Sequence, residues 1–529
     1  MPETLTLDGL ERLLKSRFKE GFFSLKDLPH PHTFKDMQKA TDRIMDAIGK
    51  KEKIVIVGDY DVDGVTSTTL MKLFFEEIDY SVEWIIPNRF RDGYGLSPTI
   101  IPRIEEFDLV ITVDNGISAV EAGKICKEKG IDLIITDHHL LPPEIPEAYA
   151  IINQKQPDCA FPYEEICGAQ IVWYLIASLK NALDAKINMM VYMELVVIAI
   201  IADMMPLKHI NRAMVISGLK ALSKSQRPSI RAYREYVQKE YLSAEDIGFF
   251  LAPLLNSAGR MEDASFAVEF LLSSNIYDAR VRLQRLIDLN DFRKKTEETI
   301  TKEALYSVNK SESVVVVSGE KWHEGVVGIV AARIARECKK PCIVLSDNGE
   351  GMLKGSGRSF GNCDLFAMVN KTRPLLEKFG GHFAAVGLSL LKTQFTLFKE
   401  QLQHHFKEGD FTIDTIDPEI VGELLFRDIS FTLTRIIKQF EPYGQGNPVP
   451  KFISKNVCIR QVSPMGKKGN HLRFLLEQDG IIHHAVQFKT EKRYEVDTMV
   501  NIVYTVNENH FRGNTTLQLL IEEINLFEK

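Results

Sequence analysis

Long apolar runs are missing from the 529 residues. None reaches the length of a membrane-spanning helix, so no membrane anchor is expected. The opening stretch MPETLTLDGLERLLK lacks a basic segment leading into an apolar one, so we expect no secretory signal and a cytoplasmic protein. Seven cysteines, Cys126, Cys159, Cys167, Cys338, Cys342, Cys363 and Cys458, show no C-x-x-C spacing. They read as reduced, mostly buried thiols and exclude a zinc site of paired cysteines. An excess of positive charge is also missing: 65 Lys and Arg face 72 Asp and Glu, a net charge of −7. That balance speaks against a nucleic-acid partner unless positive charge is local or bound cations supply it. Internal repeats and low-complexity segments are absent as well.

What is present is an ordinary globular composition, 45% hydrophobic and 26% charged, in a chain too long for one core. About three domains are expected. One stretch organises the reading: Ile54 to Gly64, IVIVGDYDVDG. Ile54 to Val57 is the β-branched run of a strand buried on both faces. Three acids then follow at every second position, Asp59, Asp61 and Asp63, and Gly64 opens a predicted helix, Val65 to Glu77. Three carboxylates within five residues repel one another. A hard divalent cation such as Mg2+ or Mn2+ would gather them. Taken alone, the stretch also reads as an acidic surface loop.

Strands and helices alternate from there. Phe107 to Val113 is apolar and ends in Asp114-Asn115-Gly116. Ser118 is the expected cap of the next helix, and Gly130 its expected end. Ile131 to Ile135 is apolar and ends in Thr136-Asp137-His138-His139. A helical run, Glu194 to Ala202, ends at Asp203. This rhythm predicts a parallel sheet with helices on both faces and ligands beyond the carboxyl ends of its strands. Asp61, Asp63, Asp114 and His138 fall at such ends, and with Asp203 at the end of the helical run they can ring two metal ions, the layout for hydrolysing a phosphate ester by in-line attack. A pair of surface histidines is the plainer reading of His138 and His139.

Residues 1–50 read as helical and amphipathic, broken at LPHPH. Asn275 to Asn309 has helical spacing, many charges and no Gly or Pro, as a long connecting helix would. A second α/β unit follows, with strand Ser313–Ser318, helix Val326–Cys338 and strand Cys342–Leu345, and with Gly-rich pieces at 355–360 and 379–387. From about Asp410 the pattern shifts to five short strands, 451–460, 471–477, 481–488, 499–506 and 515–524, compatible with an OB-fold barrel.

The set DYDVDG (59–64), VDNGIS (113–118), TDHH (136–139) and IADMMPL (201–207) resembles the DHH phosphoesterases. Within them the chain is similar to the single-strand-specific 5′ exonucleases. NRFRDGYGL (88–96), NSAGRMEDA (256–264), WHEGVVGIVAARIA (322–335), GSGRSF (355–360), GGHFAAVGL (380–388) and PYGQGNPVPKF (442–452) extend the resemblance over nearly the whole chain. It implies a parallel-sheet DHH domain over 1–275, a long connecting helix over 276–309, a smaller α/β DHH-associated domain over 310–409 and an OB-fold barrel over 410–529.

The resemblance also assigns residues. Asp61 and Asp114 would hold a first ion, Mn2+ or Mg2+, with Asp59 near it. Asp63, Asp114, His138 and Asp203 would hold a second, with Asp114 bridging. His139 would contact the scissile phosphate. Relatives often place a His four residues before the acid matching Asp61, where this chain has Val57, so Asp59 or water would fill the gap. His382 in a Gly-Gly-His turn would approach the phosphate from across the cleft. Arg89, Ser356 and Arg358 would form a pocket for a terminal 5′ phosphate, and Tyr94 would stack on a base. His323 and Arg260 lie in family motifs without an assigned role, and Trp322 reads as packing.

The barrel would bind single-stranded DNA through Lys467, Lys468, Arg473 and Phe474, with Phe511 and Arg512. Some relatives carry a further domain after the barrel; with this chain ending at Lys529, its partner contacts are expected to be absent. The implied activity is exonucleolytic hydrolysis of single-stranded DNA from a 5′ end by a two-ion monomer, releasing mononucleotides in repair and recombination. A helicase and a single-strand-binding protein are the expected partners. The alternatives are a DHH phosphodiesterase of short oligonucleotides or cyclic dinucleotides, and a non-catalytic DNA-binding relative.

Overall fold

The computed structural model describes residues 5–409, 419–466, 469–490, 492–511 and 513–526. Three sheets carry the fold. The first contains β1 (Ile54–Val57), β2 (Glu83–Ile85), β3 (Leu109–Val113), β4 (Asp132–Thr136) and β5 (Ala150–Ile152), all parallel, in the order β2-β1-β3-β4-β5. Alternation explains the β-branched runs. Ile54, Ile56, Leu109, Ile111 and Ile134 enter the core on one face, and Val55, Val57, Val110, Leu133 and Ile135 enter the core on the other. Strand order reverses between β1 and β3, and the crevice at their carboxyl ends is where such sheets take ligands.

The helix after β1 runs from Val62 to Glu77, three residues earlier than the sequence reading places it. Asp61 is the reason: its carboxylate accepts from Asp63 N (2.9 Å) and Gly64 N (3.1 Å) and caps the helix. After β3 the helix Val120–Glu128 has Ala119 at the cap position and no side-chain cap, so Ser118 does not play that part. Gly130 does close this helix, with φ +73° and Ile131 N bonded back to Cys126 O at 2.9 Å.

The connecting helix spans Ile276–Tyr306, 31 residues, about 46 Å at 1.5 Å per residue. Asn275 caps it, accepting from Tyr277 N and Asp278 N at 3.0 Å each. It packs on the helices Ala252–Met261 and Glu324–Cys338, which face each other across the junction of the first two sheets. The second sheet holds β6 (Val315–Glu320), β7 (Cys342–Asp347), β8 (Met352–Arg358), β9 (Lys378–His382) and β10 (Ala385–Leu391), in the order β6-β7-β8-β10-β9. Only β6 and β7 run parallel. The Gly-Gly-His segment is part of the edge strand β9 rather than a turn.

The third sheet comprises β11 (Ile420–Glu423), β12 (Lys451–Met465), β13 (His471–Gln478), β14 (Ile481–Gln487), β15 (Met499–Phe511) and β16 (Asn514–Leu526). Pairing of β12 with β15 closes five of them into a barrel, and β11 adds a parallel strand beside β12. Its core takes in residues from the far end of the chain. Leu10, Leu14 and Phe18, on and just after the helix Leu7–Ser16, pack with Phe426, Leu433, Phe452 and Phe474.

Close approach at the junction depends on Gly325. A Cβ there would lie 1.9 Å from the Arg260 carbonyl oxygen, whereas one at Gly387 would meet nothing within 4 Å. Gly325→Ala should therefore lower the unfolding free energy by about 1–3 kcal/mol through overpacking. Urea titration checks this, with Gly387→Ala as the control expected to stay near the native midpoint.

Candidate metal centre and nucleic-acid cleft

Four loops at the carboxyl end of the first sheet bring the acids together. Asp59, Asp61 and Asp63 follow β1, Asp114 follows β3, His138 and His139 follow β4, and Asp203 terminates the helix Met189–Ala202. Three overlapping groups of ligand atoms result, each within 4.8 Å: Asp59, Asp61 and Asp114; Asp63, His138 and Asp203; and Asp114, His138 and His139. His138 Nε2 joins them, 3.2 Å from Asp114, 3.5 Å from Asp203 and 3.7 Å from Asp63. Asp114 holds its place with φ +62°, a left-handed conformation that Asp tolerates better than most residues. Val57 lies in the apolar core, and Asp59 stands in the group that a histidine at position 57 would have joined.

The cluster suits a divalent cation. Asp59, Asp63 and Asp114 are all at most 2% exposed. Asp59 Oδ1, Asp114 Oδ1 and Asp203 Oδ2 are buried without a hydrogen-bond partner, and buried charge in that state is costly unless a counter-charge arrives. Burial first, and neighbouring carboxylates second, push Asp59 and Asp114 well above the usual carboxylate range, Asp63 to about 6 and Asp203 to about 9. Burial, and then the charge of His139, lowers His138 to about 3, so its imidazole is neutral and free to ligate. For His139 burial opposes the charge, but Asp137 outweighs it and raises the pKa to about 9. Asp137 Oδ1 sits 2.7 Å from His139 Nδ1 and also accepts from His139 N, while Oδ2 accepts from Ile117 N.

Asp137 and Asn115 are site residues that the sequence reading did not single out. Asn115 Nδ2 donates to the carbonyls of Val57 and Val113, and its Oδ1 accepts from Leu96 N, tying two strand ends to the 88–96 loop. A short Asp-x-His spacing, which allows Asp137 to hold both the backbone and the ring of His139, was the available signal.

Opposite the acids lies a group of cations. Arg89 stacks on Tyr60 at 4.1 Å. Arg358 Nη1 donates to Ser356 Oγ at 2.7 Å and packs against Gly328. Arg260 feels burial first and then the charges of Arg89, Arg293 and Arg358, which lower its pKa to about 10. Positive charge is thus local, as the net charge required. Tyr94 places its hydroxyl 3.4 Å from His139 Nδ1 and 3.4 Å from the Asp114 carbonyl. Phe90 meets His323, the cap of the helix Glu324–Cys338, edge-on at 5.5 Å.

Other expected residues lie on the second and third sheets. His382 is exposed on β9 and accepts from Ala384 N at 3.4 Å. Phe474 is fully buried in the barrel core, edge-on to Tyr494, so it is not the base platform expected of it. Alternation along β13 turns Phe474 inward and leaves Arg473 exposed. Lys467, Lys468 and Arg512 lie outside the described residues, as does the side chain of Phe511.

Comparison with known proteins identifies relatives of the chain. Family models match for the DHH family N-terminal domain over residues 53–200, the DHHA1 domain over 311–408 and the RecJ OB domain over 420–523. The chain is 33% identical to the single-stranded-DNA-specific exonuclease RecJ of Haemophilus influenzae, over 97% of this chain and 96% of that protein. It is 33% identical to the Escherichia coli protein of the same name, over 92% of this chain and 90% of that one. Among solved structures it resembles RecJ of Thermus thermophilus in complex with Mn2+, with a TM-score of 0.81 and 25% identity over 94% of this chain and 72% of that one.

The raised carboxylates make metal-free stability depend on pH. Asp63 and Asp203 titrate at about 6 and about 9, against an ordinary value of 3.8. The folded state therefore holds more protons than the unfolded chain from about pH 4 to 9, and stability falls as pH rises through that window. In EDTA, Tm should drop from pH 5.5 to pH 8. Mn2+ should restore it at pH 8 and do little at pH 5.5, as checked by thermal melts. A Tm at pH 8 indifferent to Mn2+ would contradict a cation at this cluster.

Proposed function

The chain belongs to the RecJ family of single-stranded-DNA-specific exonucleases, and from that membership we propose that it hydrolyses single-stranded DNA from a 5′ end and releases 5′ mononucleotides. The observation that carries the proposal is the cluster of partnerless buried carboxylate oxygens beside a neutral imidazole, facing a group of arginines. Asp59, Asp61 and Asp114 would hold one divalent cation, and Asp63, Asp114, His138 and Asp203 the other. Bound there, Mn2+ or Mg2+ supplies Lewis acidity to the phosphoryl group and a water made nucleophilic at neutral pH.

The remaining work belongs to the chain's own residues. His139, kept protonated by Asp137, can donate to a scissile phosphate oxygen and offset its charge as it builds. Arg89, Ser356 and Arg358 suit a terminal 5′ phosphate, because a planar guanidinium meets phosphate with two parallel donors. Tyr94, part-exposed beside His139, offers a ring to a base near that end. Arg260 adds positive charge to the same cleft. His382, exposed on β9, would approach the phosphate from across the cleft. The barrel would hold the outgoing strand, with Arg473 exposed on it.

The domain division reads as a DHH domain over 1–275, a connector over 276–309, a DHH-associated domain over 310–409 and an OB-fold barrel over 410–529; family matches within three of these spans support it. The strand must arrive unpaired, which fits a monomer fed by a helicase or a single-strand-binding protein. Seven free cysteines, five of them buried, fit a reducing cytoplasm. Phosphodiesterase action on short oligonucleotides is the rival reading, and neither the barrel nor the long helix would serve it.

Asp114→Ala removes the acid shared by both groups. It should abolish hydrolysis while leaving single-strand binding measurable by anisotropy; retained turnover would break the mechanism. Arg358→Ala should raise KM for 5′-phosphorylated strands about tenfold and erase their preference over 5′-hydroxyl strands. Products from 5′- and 3′-labelled strands, run with Mn2+ and then Mg2+, report polarity. Faster cleavage of a dinucleotide than of a long strand would favour the rival.

A further inference from the structure

The turn Ile166–Ala169 gives no side chain to the acid cluster, yet its backbone touches three members of it. The Ile166 backbone lies beside the His138 ring. Gly168 N donates to Asp63 Oδ2 at 2.6 Å, and Ala169 N donates to Asp63 Oδ1 at 2.8 Å. Gly168 also lies against Asp114. A Cβ at that glycine would stand 2.6 Å from Asp114 Oδ1 and 2.7 Å from Asp114 Cβ. Asp114 Oδ1 is itself a partnerless oxygen on a residue 1% exposed.

We propose that this backbone turn sets the geometry of the cation site formed by Asp63, Asp114, His138 and Asp203, with Gly168 and Ala169 as positioning residues. The inference rests on the two-cation reading above and deepens it. Each contact has a distinct effect. The Ile166 carbonyl lies beside the His138 ring, whose Nε2 is aimed at the acids, 3.2 Å from Asp114 and 3.5 Å from Asp203. The two amides hold both oxygens of Asp63, fixing the plane of the carboxylate and keeping lone pairs in a set direction. They head the 15-residue helix Gly168–Ala182, whose positive end favours the charged form of Asp63. The missing Cβ at Gly168 keeps open the space into which Asp114 Oδ1 points. Backbone donors suit this task because they have no rotamers to lose.

The contacts can be removed singly. Pro is tolerated in the first turn of a helix, so Ala169→Pro deletes one amide donor without breaking the helix. Ala169→Gly keeps the donor and is the control. Gly168→Ala adds the Cβ that Asp114 cannot accommodate.

Calorimetric titration of the full chain with Mn2+ reads the outcome directly. The wild type and Ala169→Gly should take up two ions. In Ala169→Pro one of the two should bind about 10–100-fold more weakly, the range seen when an outer partner of a ligand is lost. Gly168→Ala should weaken both, because Asp114 serves both groups. Tm in EDTA should fall by a few degrees through overpacking in Gly168→Ala and through the lost amide bond in Ala169→Pro, while anisotropy of a single strand without metal should stay near wild type, which separates positioning from general damage. Wild-type Mn2+ isotherms in folded Ala169→Pro and Gly168→Ala would overturn the proposal. If Ala169→Pro does not fold, the Gly168→Ala isotherm decides alone. A wild type that takes up no Mn2+ would bring down the two-cation reading instead.

Discussion

Mutual repulsion among buried carboxylates is the constraint from which the rest follows. Asp59, Asp63 and Asp114 are nearly inaccessible and lie within reach of Asp61 and Asp203. Such a set is unfavourable in isolation, and nothing within the apolar sheet core relieves it. Relief comes at the rim. Helix ends offer amides to Asp61 and Asp63, Asp137 diverts its own charge onto His139, and three oxygens remain for a cation to satisfy. The sheet supplies rigidity, so stored repulsion becomes affinity for a divalent ion instead of a local rearrangement.

Charge is separated across the junction. Acids gather on the first sheet, and arginines gather where the helix Ala252–Met261, the long helix and the second sheet meet. A phosphate lying between them would be drawn from both sides, toward guanidinium on one and toward acid-held cations on the other. Gly325 and Gly259 make that junction tight: a Cβ at Gly259 would stand 2.4 Å from the Tyr60 carbonyl oxygen, and one at Gly325 1.9 Å from that of Arg260. The width of the cleft is therefore set by backbone against backbone, with little side-chain play.

Much of the site was legible because its ligands follow strands whose burial makes them unmistakable in sequence. Asp114 and His138 were readable for that reason, Asp203 by its place at the end of an apolar helical run, and the arginines only through resemblance. What escaped notice acts through the backbone or through alternation. Asn115, Asp137 and Gly168 are defined by which carbonyl or amide they meet, and no spacing encodes that Gly168 meets Asp63, 105 residues away. Ser118 looked like a cap, but the chain enters its helix one residue later. Phe474 looked like a stacking ring beside Arg473, yet neighbours on a strand face opposite ways, and the core claimed it. The amphipathic start of the chain was visible as a helix, while its partner surface on the barrel was not.

That last feature bears on how the molecule is made. Leu10 and Leu14 are made long before the residues they pack against, which begin at Leu424 and extend to Ile524. At 5–20 residues per second their helix waits roughly 20–80 s for the first of them. During that interval its apolar stripe is unprotected and the barrel core stays incomplete, so the barrel is sealed only when two segments separated by about four hundred residues meet.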